Sequence, residues 1–499
     1  MDDLLSKLLM FPPHPPPAKP LSDHAYDEGI KEQIEVVGKM SETKLLQQTS
    51  GGEHALDVIN PSLNTIPYAC ILLANISALK KGNNKGVEID TLWEKMIGFL
   101  SAFDSRQIRY IGDELSAIIE AVAATAFSTR QAHLAVGPIA SALMRLDPTG
   151  TMLTTHHLDL ARLALDSRNF ADAAPVLNKS ILYVPGASTI TKPRYICDMT
   201  LSPVSFITLQ SKLTKKLKYL EILEYFLYSG MVFIGMRDWE SALQCLENAV
   251  TYPAKETSVS KVMVEAYKKW ILVGVLLEGR LLPLPKSTSS GAAKCYHVMA
   301  KPYETMAQIF ENGTASRLKA EADTATNIWR ADFNTGLILH LLAAFQKFQI
   351  RSLAKVYTKI TIPEIVSQTT SAETGTKLPN PQAAELLIQN MIATGELHAT
   401  MSPPTGGPSI LTFSPTGQAL TEPQMQRELV LTSERIVSLT KEIKQTDRIL
   451  THDKGYIKYV QKQSKNAKTS GATGDQGISG PDMDWNDALE DEDIMGPMY

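Results

Sequence analysis

The sequence has few of the features that would assign it to an extracellular, membrane or nucleic-acid-binding class. Four cysteines occur in 499 residues without a C-x-x-C pair, which predicts reduced, mostly buried thiols. No apolar run approaches the roughly 20 residues that a membrane-spanning helix needs. Asp2 and Asp3 precede the leucine-rich start, so we expect no secretory leader. A net charge of −4 gives no general attraction to nucleic acid or anionic membranes.

Signatures of common catalytic sites are also missing. The patterns H-E-x-x-H, G-x-x-x-x-G-K-[ST] and G-x-S-x-G do not occur. The only close histidine pair is His156 and His157, and adjacent side chains on a helix point about 100° apart, so the two cannot hold one metal ion together. We interpret them as surface or capping residues. The sequence therefore predicts a non-enzymatic protein without metal or organic cofactor.

Helical periodicity is the main feature that is present. From residue 61 to 335, apolar residues recur at spacings of three and four, and strand-like alternation is nearly absent. Residues 168–174 (R-N-F-A-D-A-A) resemble residues 237–243 (R-D-W-E-S-A-L), 69 positions later, and Pro185 and Pro253 follow the two copies. We expect the aromatic residue to begin a second helix and the proline to end it. Because the offset is close to two units of about 34 residues, it predicts an all-α, TPR-like solenoid.

Residues 336–420 have a different pattern, which predicts three helices followed by a hairpin. One helical face runs from Ile350 to Ile360. Thr361 is a candidate N-cap for a short helix at residues 363–367. A further helix begins at Asn380 and Pro381 and ends near Gly395. With the strands that follow, this order is typical of a winged helix.

The predicted hairpin supplies the first candidate interface. Leu397, Ala399 and Met401 alternate with polar residues, residues 403–408 form a turn rich in proline and glycine, and residues 410–413 form the second strand. One face of the alternating strand would enter the module's core. The backbone edge of so short a sheet would remain free to pair with another chain.

Residues 421–465 are predicted to form a terminal helix with an apolar seam, which is the second candidate interface. The seam comprises Met425, Leu429, Thr432, Ile436, Leu439, Ile443, Thr446 and Leu450, spaced alternately by four and three. That spacing suits lengthwise packing against partner helices. We expect other chains to cover the seam, and the alternative is that the helix folds back on its own repeats.

The two ends of the chain differ from the rest in composition. Residues 1–60 are rich in leucine and proline, and residues 11–20 suggest a stiff spacer, with a docking peptide for an aromatic groove as the alternative. Residues 466–499 form an acidic tail that we expect to be disordered when free. Within it, Trp485 is a candidate anchor for a basic partner surface. The alternative is a solvated tail that binds nothing.

A winged helix raises the question of DNA binding, and the charge pattern answers it. No lysine or arginine occurs between Lys377 and Arg427, so the helix that would enter a groove carries no positive charge. Phosphate contacts provide most non-specific affinity, and lysine and arginine make most of them. The module is therefore better suited to protein–protein packing.

The order of helical repeats, winged helix and terminal helix resembles the PCI family, whose members occur in the proteasome lid, the COP9 signalosome and translation initiation factor three. Residues 228–250 (beginning Y-S-G-M-V-F-I-G, with W-E-S-A-L) and residues 265–285 (E-A-Y-K-K-W-I-L-V, then L-L-P-L-P) are similar to the signalosome branch. The close resemblance runs from about Leu217 to Met401.

This resemblance implies a scaffold subunit, because the metalloprotease of the signalosome is a different chain. The implied partners are other PCI subunits, which join through winged helices and terminal helices. Cullin–RING ubiquitin ligases would be affected indirectly, through removal of a ubiquitin-like modifier from cullins. We expect a cytoplasmic and nuclear location and no nucleic-acid or membrane partner. The alternatives are a proteasome-lid PCI subunit, a nucleic-acid-binding winged-helix protein and a cryptic hydrolase.

We predict that the isolated chain binds no stoichiometric zinc and hydrolyses neither isopeptide bonds nor ATP, because it lacks the ligand and nucleophile patterns that such reactions need. The measurements are metal content after exhaustive dialysis and turnover assays on the purified chain. One equivalent of retained zinc, or turnover by the chain alone, would contradict this prediction.

Overall fold

Helices dominate the computed structural model. It describes residues 2–14, 20–48, 52–82, 88–186, 193–254, 259–378, 380–402, 408–414, 421–452, 456–458 and 460–461. In chain order the helices are α1 Asp2–Leu8, α2 Asp23–Gly38, α3 Glu42–Leu45, α4 Ala55–Val58, α5 Thr65–Lys80, α6 Ile89–Ala102, α7 Gly112–Ser128, α8 His133–Leu146, α9 Thr155–Ser167, α10 Phe170–Leu177, α11 Pro203–Phe206, α12 Tyr219–Met236, α13 Trp239–Val250, α14 Lys261–Glu278, α15 Ser290–Met299, α16 Lys301–Asn312, α17 Ala315–Thr324, α18 Thr326–Ala331, α19 Thr335–Leu353, α20 Ile362–Gln368, α21 Pro381–Ala393 and α22 Glu422–His452. The strands are β1 Lys359–Thr361, β2 Ala399–Ser402 and β3 Ile410–Phe413. The predicted helical character of residues 61–335 is confirmed for most of the described residues, but the stretch 178–218 corrects it, because α11 is the only helix described there.

The two self-similar segments occupy equivalent places in two helical hairpins. Arg168 follows α9 with φ 55°, and Arg237 follows α12 with φ 61°, so both helices end in a left-handed residue. Phe170 and Trp239 then begin α10 and α13. The repeat predicted from the 69-residue offset is therefore confirmed as a helix–turn–helix unit.

Small residues allow the helices of neighbouring units to approach closely. Ala173 in α10 and Ala242 in α13 are fully buried. A Cβ atom added to Gly235 would lie 2.4 Å from the ring of Phe170, so the aromatic residue of one unit fills the space beside a helix of the next. Larger side chains at these positions would force the helices apart.

The prolines do not end both units as predicted. α10 ends well before Pro185, and the backbone of Tyr183 pairs with residues 151–153. Pro175 already lies inside α10. Because proline lacks a backbone N–H and its ring crowds the carbonyl four residues earlier, it interrupts the hydrogen bonding inside this short helix. α13 has no internal proline, and it continues to Val250.

The leucine-rich start packs on α2 instead of standing apart on a spacer as predicted. Leu8 is fully buried, and its carbonyl accepts a hydrogen bond from Gln33 Nε2 at 2.8 Å. The ring of Phe11 lies edge-on to Tyr26, with centroids 5.1 Å apart. Residues 15–19, in the middle of the proline-rich stretch, lie outside the described residues.

Residues 346–371 and the described residues from Thr376 onward form a second compact unit around a three-stranded antiparallel sheet in the order β1-β3-β2. The core of this unit consists of Ile350, Ile360, Ile362, Ile365, Ala384, Ile388, Met391, Leu397, Ala399, Leu411 and Phe413. Helices, β-hairpin and terminal helix occur in the predicted order. Ile360 corrects the prediction, because it lies in β1 opposite Leu411 and not on a helix. Helix α19 ends at Leu353.

The predicted helix ends in this unit are confirmed. Thr361 caps α20, where its backbone N–H and hydroxyl donate to Glu364 Oε2 at 3.1 and 2.8 Å. These bonds hold the pKa of the Glu364 carboxyl below its usual value. Asn380 Oδ1 accepts from the Ala383 amide at the start of α21, at 2.8 Å. Gly395, with φ 75°, follows the end of that helix.

His156 and His157 are buried, which corrects their interpretation as surface residues. His157 is nevertheless a capping residue, since its Nδ1 accepts from the Thr154 amide at the start of α9. His156 Nε2 lies 3.0 Å from the Ser116 hydroxyl. Burial lowers the pKa of His156 to about 4 and that of His157 to about 3, so both rings are neutral.

The four cysteines carry free thiols, but they are less buried than predicted. Only Cys197 is buried, whereas Cys70, Cys245 and Cys295 are partly exposed. Desolvation nevertheless raises the pKa of Cys70 and of Cys245 to about 12. These two thiols therefore stay protonated, as structural cysteines do.

The two histidines should make the repeat region sensitive to acid. Their pKa values are lower in the fold than the usual 6.5, so the unfolded chain binds more protons below that pH. The contribution of the two histidines to the free energy of unfolding should therefore be complete above pH 6.5. It should fall on acidification by up to about 1.4 kcal/mol per pH unit for each histidine. Urea unfolding at pH 5 and pH 7.5 measures the loss.

A histidine substitution separates this effect from that of the carboxylates. His157→Gln keeps a side-chain acceptor at the third position of the helix, and it should reduce the pH dependence. The exposed His133→Gln is the matched control and should leave the dependence unchanged. Equal slopes for the wild type and His157→Gln would contradict the assignment.

Candidate assembly interfaces

Strand β2 is an outer strand of the sheet, with β3 as its one neighbour among the described strands. The Ser414 amide donates to the His398 carbonyl at 2.9 Å, so these residues form a hydrogen-bonded pair of the antiparallel ladder. Hydrogen-bonded and non-hydrogen-bonded pairs alternate. The next hydrogen-bonded pair is therefore Thr400 with Thr412. It follows that the N–H groups of Ala399 and Met401 point away from β3, toward the free edge.

The side chains of the predicted edge face inward. Leu397 and Ala399 belong to the core of the second unit, and Met401 is partly buried against it. His398 and Thr400, which alternate with them, are exposed. The alternation predicted from the sequence is thus present. The surface that β2 offers to another chain consists of backbone groups and not of these apolar side chains.

Helix α22 carries the predicted seam on its surface. The helix has 31 residues, which gives a length of about 46 Å. The exposed apolar members of the seam are Met425, Leu429, Ile436, Leu439, Ile443 and Leu450. Their exposure ranges from 37% for Leu450 to 66% for Ile443, whereas core residues of the same unit are almost inaccessible. A long amphipathic helix is normally covered along its apolar stripe.

Three exposed apolar residues of α22 lie outside the seam and were not singled out in the sequence. Val430, Leu431 and Val437 are each more than half exposed. At about 100° per residue, Val430 and Val437 fall on the side of the helix opposite the seam. These three residues could have been found in the sequence by plotting every apolar residue of the helix by its angle around the helix axis. Apolar groups on more than one side suit a helix surrounded by several neighbours.

Helix α21 presents a surface without positive charge. Gln382, Leu386, Gln389 and Asn390 are exposed along it, and the helix contains no lysine or arginine. The helix therefore lacks the positive side chains whose contacts with phosphates dominate nucleic-acid affinity. The candidate anchor Trp485 lies outside the described residues.

Neither a metal-binding cluster nor a membrane span is found in the described part of the chain. No group of three or more histidine, cysteine or acidic residues there is arranged to hold a metal ion. None of the helices described combines the length and the hydrophobicity needed to cross a bilayer. The β2 edge and the seam of α22 remain the candidate interfaces of the described chain.

Comparison with known proteins identifies consistent relatives. Residues 28–291 match the family model described as COP9 signalosome complex subunit 3, N-terminal helical repeats. Over 501 residues, the chain is 32% identical to the COP9 signalosome complex subunit 3 of Neurospora crassa, covering 99% of each protein. It is 30% identical over 506 residues to the protein of the same name in Emericella nidulans, again with 99% of each covered.

Proline substitutions should distinguish the two sides of β2. Ala399→Pro removes an N–H that points to the free edge, so the thermal midpoint of the isolated chain should stay near that of the wild type. Thr400→Pro removes an N–H that bonds to Thr412, so the second unit should unfold at a lower temperature. Thermal scans of both variants make the comparison. A larger loss for Ala399→Pro than for Thr400→Pro would reverse the assigned orientation.

Proposed function

Because this chain belongs to the COP9 signalosome subunit 3 family, we propose that it is a non-catalytic scaffold subunit of the signalosome. In this role it supports the removal of the ubiquitin-like modifier from cullins by holding other subunits in place. It affects cullin–RING ubiquitin ligases only through that assembly. The names of the relatives support membership of the complex, and the resemblance to PCI proteins supports the scaffold role.

The exposed seam of α22 is the observation that carries this proposal. At least six large apolar side chains lie uncovered along one stripe of the helix. Monomeric proteins rarely leave so long a contiguous apolar surface in water, and such surfaces usually mark protein interfaces. Burying the stripe against partner helices would release ordered water, and it would fix the lengthwise register of the helix through the alternating spacing.

The sheet edge supplies a second contact of different chemistry. We assign α20, α21 and the β2–β3 hairpin to the winged-helix half of a PCI module, on the basis of their order and of the antiparallel sheet. Main-chain pairing along β2 would add a strand from a neighbouring subunit. Backbone hydrogen bonds along β2 would contribute affinity but would discriminate little between partners. The side chains of the α22 seam would provide that discrimination.

Charges placed in the seam should separate folding from assembly. Leu439→Asp combined with Ile443→Asp should leave the unfolding of the isolated chain unchanged, because both side chains are exposed. In a helical bundle the same carboxylates would be buried without partners, which costs several kcal/mol, roughly a hundredfold or more in affinity. Co-purification of the tagged chain with the remaining signalosome subunits, followed by mass spectrometry, measures incorporation.

A charge-matched control is available on the same helix. Ser433→Asp combined with Ser438→Asp adds two negative charges at exposed positions outside the seam, and this variant should incorporate clearly better than the seam variant. Unfolding of the isolated chain by the seam charges would mean that the helix folds back on its own protein. Normal incorporation of the seam variant would exclude α22 as an assembly element.

A further inference from the structure

Phe333 combines two properties that rarely occur together. Its side chain is 92% exposed, and no other large apolar residue in the described chain is as accessible. Its backbone has φ 55°, in the left-handed region that disfavours a residue with a large side chain. The residue follows α18, where the Phe333 amide donates to the Arg330 carbonyl and the Asn334 amide to the Trp329 carbonyl. This helix ending usually contains glycine at the left-handed position.

The residue before Phe333 is held by a buried polar network. Asp332 Oδ2 lies 2.7 Å from Lys268 Nζ and accepts a hydrogen bond from the Tyr303 hydroxyl at 2.8 Å. Tyr303 is fully buried. The ring of Tyr303 also packs against Trp329 of α18, with centroids 4.8 Å apart. These contacts fix the end of α18 to α14 and α16.

The residue after Phe333 is held by the same network. Asn334 is 1% exposed, and it accepts from Lys269 Nζ and donates to the Tyr303 hydroxyl, at 2.8 and 2.9 Å. Lys269 also pairs with Glu265. Because both neighbours are tied inward, the turn must point the side chain of Phe333 outward.

A purely structural role does not account for phenylalanine at this position. Glycine would end the helix without backbone strain and without an exposed ring. Backbone strain of this kind persists where the surroundings impose it, and it is concentrated at functional positions. The polar network supplies that constraint here. It presents a rigid aromatic group, and ordering such a group costs little entropy on binding.

The charges beside Phe333 indicate what kind of surface it meets. The carboxylates of Glu265 and Asp332 are already paired with lysines. Arg330, three residues earlier, is exposed, and no ion pair of its guanidinium occurs among the described residues. The protruding ring is therefore accompanied by an uncompensated positive charge. Aromatic residues and arginine are enriched at the energetic centres of protein interfaces.

We propose that Phe333 is an assembly anchor that inserts into an apolar pocket of a neighbouring signalosome subunit, with Arg330 facing carboxylates at the pocket's rim. This inference rests on the proposed membership of the complex. It assigns a contact to the repeat region, which is independent of the sheet edge and of α22.

Replacement by glycine tests the proposal, because it removes the ring and relieves the backbone together. Phe333→Gly should leave the thermal midpoint of the isolated chain unchanged or raise it. It should weaken binding to the complex reconstituted from the remaining subunits by about tenfold or more. Arg168→Gly is the matched control, since it replaces an exposed left-handed residue at another helix end, and it should bind as the wild type does.

Failure of this inference can be distinguished from failure of the proposed function. If the wild-type chain does not bind the remaining subunits at all, the proposed function is wrong. If the wild type binds and Phe333→Gly binds equally well, only the anchor is wrong. Arg330→Gln should weaken binding most at low salt, because it removes an ionic contact; a loss independent of salt would overturn the assigned charge complementarity.

A photoreactive benzoylphenylalanine at position 333 identifies the contacted surface directly. In the reconstituted complex it should cross-link to one other subunit, at a peptide that contains both apolar and acidic residues. Cross-linking only within the chain or to a second copy of it would contradict the proposal. So would the absence of any cross-link in an assembled complex.

Discussion

A helix must bury its apolar face against a neighbouring element, and the rest of the structure depends on that constraint. In the repeats the requirement is met within the chain. The left-handed turns at Arg168 and Arg237 bring consecutive helices alongside each other. Alanine and glycine positions then allow contact, with Phe170 filling the space beside Gly235. In α22 the same requirement is not met by the residues that the structure describes. The proposed assembly role rests on this difference, because the apolar stripe of α22 is as regular as those that are covered.

Polar groups inside the repeats serve to fix geometry. The Thr154–His157 cap begins α9 below the surface, and the neutral state of the buried ring avoids the desolvation of a charge. Three helices are joined by a polar cluster of Lys268, Asp332, Asn334 and Tyr303. An all-apolar contact at this place would define the conformation of the turn after α18 less well. In both places, hydrogen-bonded side chains determine a backbone conformation on which the neighbouring surface depends.

The features predicted successfully from the sequence were those with a local cause. Thr361, Asn380 and Gly395 end or begin helices through bonds to residues within one turn, so the residue types alone indicate the boundaries. The alternation around Ala399 and the spacing from Met425 to Leu450 likewise reflect strand and helix periods. Repetition of R-N-F and R-D-W at a fixed offset revealed the helical hairpin, because both copies form the same local turn.

Contacts between distant residues decided what the sequence could not indicate. The periodicity that predicted a helix at Ile360 ignores the strand partner at Leu411, which lies far along the chain. Burial of His156 and His157 depends on helices that pack over them, and the packing of Leu8 depends on α2. Nothing local marks Phe333 as a projecting residue, since its orientation is set by lysines more than 60 residues earlier. Sequence period determines which side chains share a face, whereas only the tertiary structure determines which of those faces is left for a partner.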